Sequence, residues 1–311
     1  MRKNVFSVDI GGSKILCGVL TLSGEIVQSY RSALPQNCTA TTIVDHIKNY
    51  YAKCRHYDCF YASVAVPGLC DSENGRWLYS PFSKLCDIEI TEIVSEITGL
   101  PTVCDNDVNV SALAEKYYGI CPDKDDYIWI TVSNGIGGGL VLNGKLYRGA
   151  NLCAGEIGHF TVEEINGRKC GCGKYGCLEA MASGASISSI YSDLTGEIQS
   201  AAEIAERARN GDGVALQVWS DAGTYIGKAI AQSVNLLGTD TVVLGGGAAE
   251  AFDLLKPPID SAIKKHVFLK AVPHVNVLHS ALGKNAALVG CAALVKQQMD
   301  KEGDCMQCIL S

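Results

Sequence analysis

The chain has 311 residues, 47% of them apolar, which is enough to bury a large core and predicts two domains. Its formal net charge of −7 and pI near 5.4, with no basic cluster along the sequence, argue against nucleic-acid or anionic-membrane partners. The start, Met1-Arg-Lys-Asn-Val-Phe-Ser-Val-Asp9, has no apolar h-region before its first acid and does not read as a secretory leader, and no apolar run reaches bilayer length.

Val5-Phe-Ser-Val-Asp-Ile10 is apolar and β-prone and predicts a first strand. Gly11-Gly12 turns it, residues 14–20 run back, and Ser23-Gly24 turns again into 25–30. A helix is expected over 42–53, then a strand over 62–66 stopped by Pro67-Gly68. Residues 90–98 fit a helix and 102–104 a short strand, after which Asn106 or Asp107 caps a helix running to 118. The opening grammar then recurs. Tyr127-Ile-Trp-Ile-Thr-Val132 is a strand, Asn134-Gly-Ile-Gly-Gly-Gly139 its turn, Leu140-Val-Leu142 the return and Asn143-Gly144 a hairpin signal. Two such units predict duplicated halves facing each other. Helices follow over 201–209 and 214–237, then the strand Thr241-Val-Val-Leu244 closed by Gly245-Gly-Gly247. A helix from 250 to about 265 comes next, and a last helix over 285–299 is expected to return to the first domain. The expected domains are 1–119 with about 290–311, and 120–289.

Cys170-Gly-Cys172-Gly-Lys-Tyr-Gly-Cys177-Leu-Glu179 follows closely behind Gly155-Glu156-Ile-Gly-His159. Three thiols and one imidazole are the ligand set of a closed tetrahedral zinc site, here His159, Cys170, Cys172 and Cys177. Gly171, Gly173 and Gly176 let the backbone turn tightly enough for the sulfurs to converge, and Glu156 and Glu179 bracket the site. The other cysteines of the 15, such as Cys104 and Cys291, read as free core thiols in a reducing cytoplasm. Cys308-Ile-Leu-Ser311 has the letters of a prenylation box without a polybasic stretch before it, and lipidation is not expected.

Three glycine turns, at 9–14, 134–139 and 244–247, each follow an apolar strand and can bring backbone N–H groups close to oxyanions. None is a Walker loop or a full dinucleotide fingerprint. Together, with the Asp9 carboxylate able to hold a hydrated Mg²⁺, they point to nucleotide binding.

Asp9-Ile-Gly-Gly-Ser-Lys-Ile15, Asn106-Asp107, the 134–139 turn, Gly155-Glu-Ile-Gly-His159 and the cysteine run occur in an order that resembles ROK-family sugar kinases over nearly the whole chain. The resemblance implies an α/β, two-domain actin/hexokinase-like (ribonuclease H-like) fold with ATP and a hexose in a cleft between domains. It implies Asp107 as general base, accepting the sugar hydroxyl's proton during phosphoryl transfer, a role for which the helix dipole should keep the carboxylate ionised. It places Asn106, Glu156, His159 and Glu179 on the sugar hydroxyls and Gly68 beside the sugar. It places Gly11, Gly12, Ser13 and Lys14, together with Asn134, Gly135, Ile136, Gly137, Gly138 and Gly139, on the phosphates, and Gly246 and Gly247 along the adenosine. Zinc would be structural, and a homodimer or larger assembly is implied. The sequence departs from the family at Asn134, where a small hydroxyl residue is usual, at Ser13, and over 79–87, which lacks the usual Asn and Trp.

The expected activity is ATP-dependent phosphorylation of glucose or an N-acetylhexosamine such as N-acetylmannosamine or N-acetylglucosamine, with fructose as the alternative sugar. Some family members are repressors with a DNA-binding domain ahead of the first glycine turn. Here that turn begins at residue 9, so that form is not expected. The competing class is a non-catalytic sugar-binding regulatory protein of the same fold; a redox protein built on the thiols is more distant.

Overall fold

The computed structural model describes residues 4–35, 38–83, 85–268 and 270–310, with side chains to residue 302. The Met1 to Lys3 start and the side chains of the Cys308 to Ser311 run therefore lie outside the described residues. The chain forms two compact units, Met1–Asp123 with Arg148–Cys153 and Asn285–Ser311, and Lys124–Tyr147 with Ala154–Lys284.

The first unit opens with the antiparallel meander β1 (Asn4–Ile10), β2 (Lys14–Thr21) and β3 (Ile26–Ala33). β1 and β2 are buried almost throughout, whereas β3 alternates half-buried and exposed residues, as a strand with one open face must. Helix α1 (Ala40–Cys54), capped by the Thr39 hydroxyl on Thr42 N–H, crosses to β4 (Cys59–Val66), which lies parallel to β1. A small antiparallel sheet follows, β5 (Leu69–Asp71), β6 (Arg76–Tyr79) and β7 (Cys86–Ile88). Its three- and four-residue strands are too short to show a period in sequence. Helix α2 (Ile90–Thr98) then leads to β8 (Thr102–Asn106), parallel to β4, and to α3 (Asp107–Tyr117). The sheet order is β3-β2-β1-β4-β8.

The second unit repeats this order. β9 (Tyr127–Val132), β10 (Ile136–Leu142) and β11 (Lys145–Tyr147) form the meander. Helices α4 (Leu178–Ala182), α5 (Gly184–Thr195), α6 (Ala201–Arg209) and α7 (Gly213–Leu237) make the crossover to β12 (Thr241–Gly245), parallel to β9. Helix α8 (Phe252–His266) leads to β13 (Asn276–His279), giving β11-β10-β9-β12-β13. Both units are thus ribonuclease H-like, and the duplicated halves expected from sequence are present as duplicated topology. Besides β5–β7 and the five-residue α4, the sequence reading missed α5 and β13. α5 is rich in serine, and β13 is only four residues long. The last helix, α9 (Ala286–Leu310), belongs to the first unit and packs on α3, β1 and β4. Among the described residues no helix is long and apolar enough to cross a membrane.

The core of the second unit depends on a close crossing of α7 and α8. A Cβ on Gly223 would meet Pro258 Cγ at 2.5 Å, and one on Gly227 would meet Ala262 Cβ at 2.6 Å and Ile259 O at 2.8 Å. Two glycines one helical turn apart thus let α8 approach α7 backbone to backbone. Gly227→Val should force the helices apart and cost about 1–3 kcal/mol in urea unfolding, whereas an exposed control, Leu236→Gln on the same helix, should change stability by less than about 0.5 kcal/mol.

Candidate active site

In the first unit the candidate side chains gather where β1, β4 and β8 end, the edge at which parallel sheets of α/β proteins take ligands. After β1, Gly11 N–H donates to Lys14 O at 2.8 Å and closes the turn, leaving Gly12 and Ser13 exposed at its tip. The Phe82 ring lies over Gly12, whose Cβ would come within 2.7 Å of Phe82 Cγ. After β4, Gly68 adopts φ +82°, and a Cβ there would meet Tyr79 O at 2.3 Å, so glycine is required twice over. Trp77 Nε1 donates to Pro67 O at 2.8 Å and pins this turn from the small sheet.

β8 runs directly into α3. Asn106 is the cap, its Oδ1 accepting from Val108 N–H at 2.9 Å and Asn109 N–H at 3.1 Å. Its Nδ2 donates to Gly68 O at 2.9 Å and to Asp107 Oδ1 at 3.0 Å. Asn106 is the main cap, and Asp107 Oδ1 shares one of its amides, Val108 N–H at 3.0 Å. Asp107 is half-buried, and desolvation by the surrounding protein, with the nearby Asp9 carboxylate, pushes its pKa up to about 7. Hydrogen bonds from Val108 N–H and Asn106 act the other way and do not prevail. The helix N-terminus therefore does not hold this carboxyl fully ionised, contrary to the expectation from the dipole alone. Asp9, buried at the end of β1, is raised to about 6 by burial, with Lys14 pulling it back.

In the second unit the glycine turn after β9, the 155–159 stretch and Glu179 form one block of backbone contacts. A Cβ on Gly138 would meet Gly155 O at 2.6 Å, and one on Gly158 would meet Ile136 O at 2.1 Å. Glu179 Oε2 accepts Ile136 N–H at 3.1 Å and lies 2.5 Å from where a Gly135 Cβ would be. Of the turn expected over 134–139, residues 136–139 are already strand in β10, paired with β9, and one oxygen of Glu179 is committed to holding the start of that strand. The turn after β12 packs on the same strand end, with Ala248 N–H donating to Val132 O at 2.9 Å and Gly246 at φ +95° beside it, while a Cβ on Gly247 would meet open space.

The ligand atoms of His159, Cys170, Cys172 and Cys177 all lie within 4.8 Å of one another. Cys172 Sγ is 3.6 Å from Cys177 Sγ, and Cys170 Sγ is 3.7 Å from His159 Nδ1. Tetrahedral zinc with Zn–S bonds of ~2.3 Å and Zn–N of ~2.0 Å needs S···S edges of about 3.8 Å and S···N edges of about 3.5 Å, so this donor set fits the ion. His159 turns Nδ1 toward the thiols, and its Nε2 lies 3.8 Å from Glu156 Oε2, close but beyond hydrogen-bond distance. Gly176, at φ +71°, lets Cys177 pair with Thr161 and so ties the thiol loop to the histidine segment.

The structure adds residues that the sequence did not single out. Trp77 is an apolar residue in a four-residue strand and gave no signal. Asp105, adjoining Asn106-Asp107, is fully buried and ion-paired to Arg148 at 2.5 Å. A carboxylate next to a candidate base could have been flagged, but its partner 43 residues away could not.

The ROK family model matches residues 5–298. The glucokinase of Halalkalibacterium halodurans is 31% identical over 311 residues, covering 94% of each chain. The crystal structure of a ROK family glucokinase from Streptomyces griseus in complex with glucose and AMPPNP superposes with a TM-score of 0.84 at 31% identity, covering 94% of this chain and 99% of that one. The N-acetylglucosamine repressor of Escherichia coli is 30% identical over 312 residues, covering 95% of this chain and 76% of its own.

Two outcomes follow from this geometry. The folded state raises the Asp107 pKa, so its contribution favours folding below the unfolded pKa near 4 and is lost as pH rises through about 7. Asp107→Asn should therefore unfold at higher urea than the wild type at pH 8, by on the order of 1–2 kcal/mol after discounting for partial exposure, with the gap closing toward pH 4. Cys172→Ser should lose stoichiometric zinc, read by atomic absorption, and lower the melting temperature; an unchanged melt with no metal in either protein would remove the metal site.

Proposed function

The chain belongs to the ROK family, and we propose that within it the protein is an ATP-dependent hexose kinase, acting on glucose or an N-acetylhexosamine with Asp107 as general base. The observation that carries this reading is the β8–α3 junction. Asn106 caps the helix and bonds Gly68 O, leaving the Asp107 carboxylate poised with a pKa near neutrality, where a base both exists and accepts a proton readily. The glucokinase relatives support glucose as first substrate.

In this reading the sugar hydroxyl donates to Asp107 as its oxygen attacks the γ-phosphorus, and Asn106, whose amide is already bonded to Gly68 O, Asp107 Oδ1 and the first amides of α3, holds that carboxylate and the Gly68 turn in line with the hydroxyl. Glu156, His159 and the free oxygen of Glu179 take the remaining hydroxyls. The amides of Gly12 and Ser13, with Lys14, and the turn Asn134 to Gly139 receive phosphate oxygens, while Gly246 and Gly247 lie along the nucleoside. Asp9, buried and only partly compensated by Lys14, is the residue that would hold Mg²⁺ through water, the ion supplying charge neutralisation at the phosphates. Zinc would hold the loop that carries Glu179 and His159, without taking part in transfer. We place the protein in the cytoplasm, on its cysteine content, and as a homodimer or larger.

The repressor relative favours a second reading, a sugar sensor that binds without turnover. ADP release with Mg²⁺ across glucose, fructose, mannose, N-acetylglucosamine and N-acetylmannosamine separates the two. The kinase reading expects turnover with at least one sugar and a loss of on the order of 100-fold or more in kcat for Asp107→Asn. Sugar binding by calorimetry without ADP release would give the sensor.

A further inference from the structure

The pair formed by Asp105 and Arg148 has been given no role in binding sugar or nucleotide, yet it is a largely buried ion pair, with side-chain exposure of 0% and 19%. Arg148 places Nε at 2.8 Å and Nη2 at 2.5 Å from Asp105 Oδ2. The other oxygen, Oδ1, accepts the backbone N–H of Asn106 at 2.7 Å and Nδ2 of Asn109 at 3.0 Å. Asp105 is thereby fixed from two sides, and one of its bonds is to the backbone of the residue that caps α3 and reaches Gly68 and Asp107.

Arg148 opens a six-residue stretch, Arg148–Cys153, that belongs to the first unit although the chain on either side belongs to the second. Gly149 and Leu152 both have positive φ, 74° and 60°, and Leu152 N–H bonds Gly149 O at 3.3 Å, so the stretch is sharply bent. A leucine in that conformation is unfavourable unless its surroundings impose it.

We propose that Arg148 is a positioning residue which, by clamping and neutralising Asp105, fixes Asn106 and with it the orientation of the Asp107 carboxylate at the β8–α3 junction. Without Arg148, Asp105 would be a buried carboxylate with no cation, and it must draw in water or turn toward other donors. Either response moves the oxygen that holds Asn106 N–H. The consequence for catalysis rests on the kinase reading; the positioning itself does not.

A staple that merely held Arg148–Cys153 in place would have a different signature. The charge that acts on Asp107 in the intact protein is that of Asp9 on β1, itself opposed by Lys14 on β2, with the Val108 N–H and the Asn106 amide bonding its carboxylate; Asp105 on β8 and Arg148 are the neighbouring charges, and as a closed pair they oppose each other. Arg148→Gln leaves the Asp105 charge unopposed and should move Asp107 titration up. Asp105→Asn leaves the Arg148 charge unopposed and should move it down. The double variant, an uncharged pair, should return it close to the wild type.

The test uses thermal melts of the full chain between about pH 4 and pH 9 for wild type, the two single variants and the double, each with and without Asp107→Asn. The pH at which Asp107→Asn reaches half its stabilising effect reports the titration of Asp107 and needs no enzymatic activity. Opposite shifts for the singles, restored in the double, are expected; shifts in one direction, or none, overturn the proposal. If Arg148→Gln does not fold, Asp105→Asn and the double decide it, a downward shift that is absent in the double being required. In turnover, Arg148→Gln should lower kcat by about 100-fold with KM for ATP within about twofold, the split expected when a reacting group is misplaced while the nucleotide site is intact. An unchanged kcat overturns the catalytic consequence. A wild type without turnover fails the kinase reading alone, since the titration still decides the pair.

Discussion

Keeping two carboxylates out of water beside each other is the constraint around which the first unit is arranged. Asp9 and Asp107 stand at the ends of β1 and β8, and each is raised by desolvation, with the charge of Asp9 acting on Asp107 and Lys14 opposing on Asp9. A protein selected for stability alone would not leave two acids so placed, because each ionised form costs free energy in the fold. A cation bound beside them would reverse that balance. The surrounding hydrogen bonds follow from this placement. Asn106 is the main helix cap, Asp105 is neutralised by Arg148, and Gly68 offers its carbonyl because no side chain could stand where its Cβ would be.

The second unit solves a different problem, holding polar loops rigid without much apolar surface of their own. It does so by backbone-on-backbone contact. Gly138 against Gly155 and Gly158 against Ile136 leave no room for a methyl group, and Glu179 bridges from α4 to the amide of Ile136. The thiol loop is joined to the same block through the pairing of Thr161 with Cys177 and the bond from Leu178 N–H to Phe160 O at 2.9 Å. A four-ligand metal at His159, Cys170, Cys172 and Cys177 would close this block covalently where hydrophobic burial cannot, since Cys172 and His159 are exposed.

The duplicated topology explains why glycine turns recur at equivalent places. Each unit has an antiparallel meander followed by two parallel strands, and the first glycine turn of each lies between the first two strands of its meander. α3 and α9 follow the last strand of their respective sheets and are topological counterparts. α9 nevertheless packs on α3 within the first unit, so closely that a Cβ on Gly290 would lie 2.1 Å from Val110 O.

The sequence by itself determined the strands with long apolar runs, the glycine turns, the Asn106-Asp107 junction and the His159–cysteine ligand set, because each depends on residues close together in the chain and on their local stereochemistry. It left open whether Asn106 or Asp107 caps α3, and gave no sign of β13 or of the small β5–β7 sheet that pins Pro67 through Trp77. Only the tertiary structure decided those points, together with the upward shift of the Asp107 pKa and the pairing of Asp105 with Arg148. Desolvation and long-range charge depend on everything packed around a group, and a partner 43 positions away leaves no trace in local spacing. Local stereochemistry can be read along the chain; the electrostatic environment of a carboxylate exists only once the strands carrying it have been brought side by side.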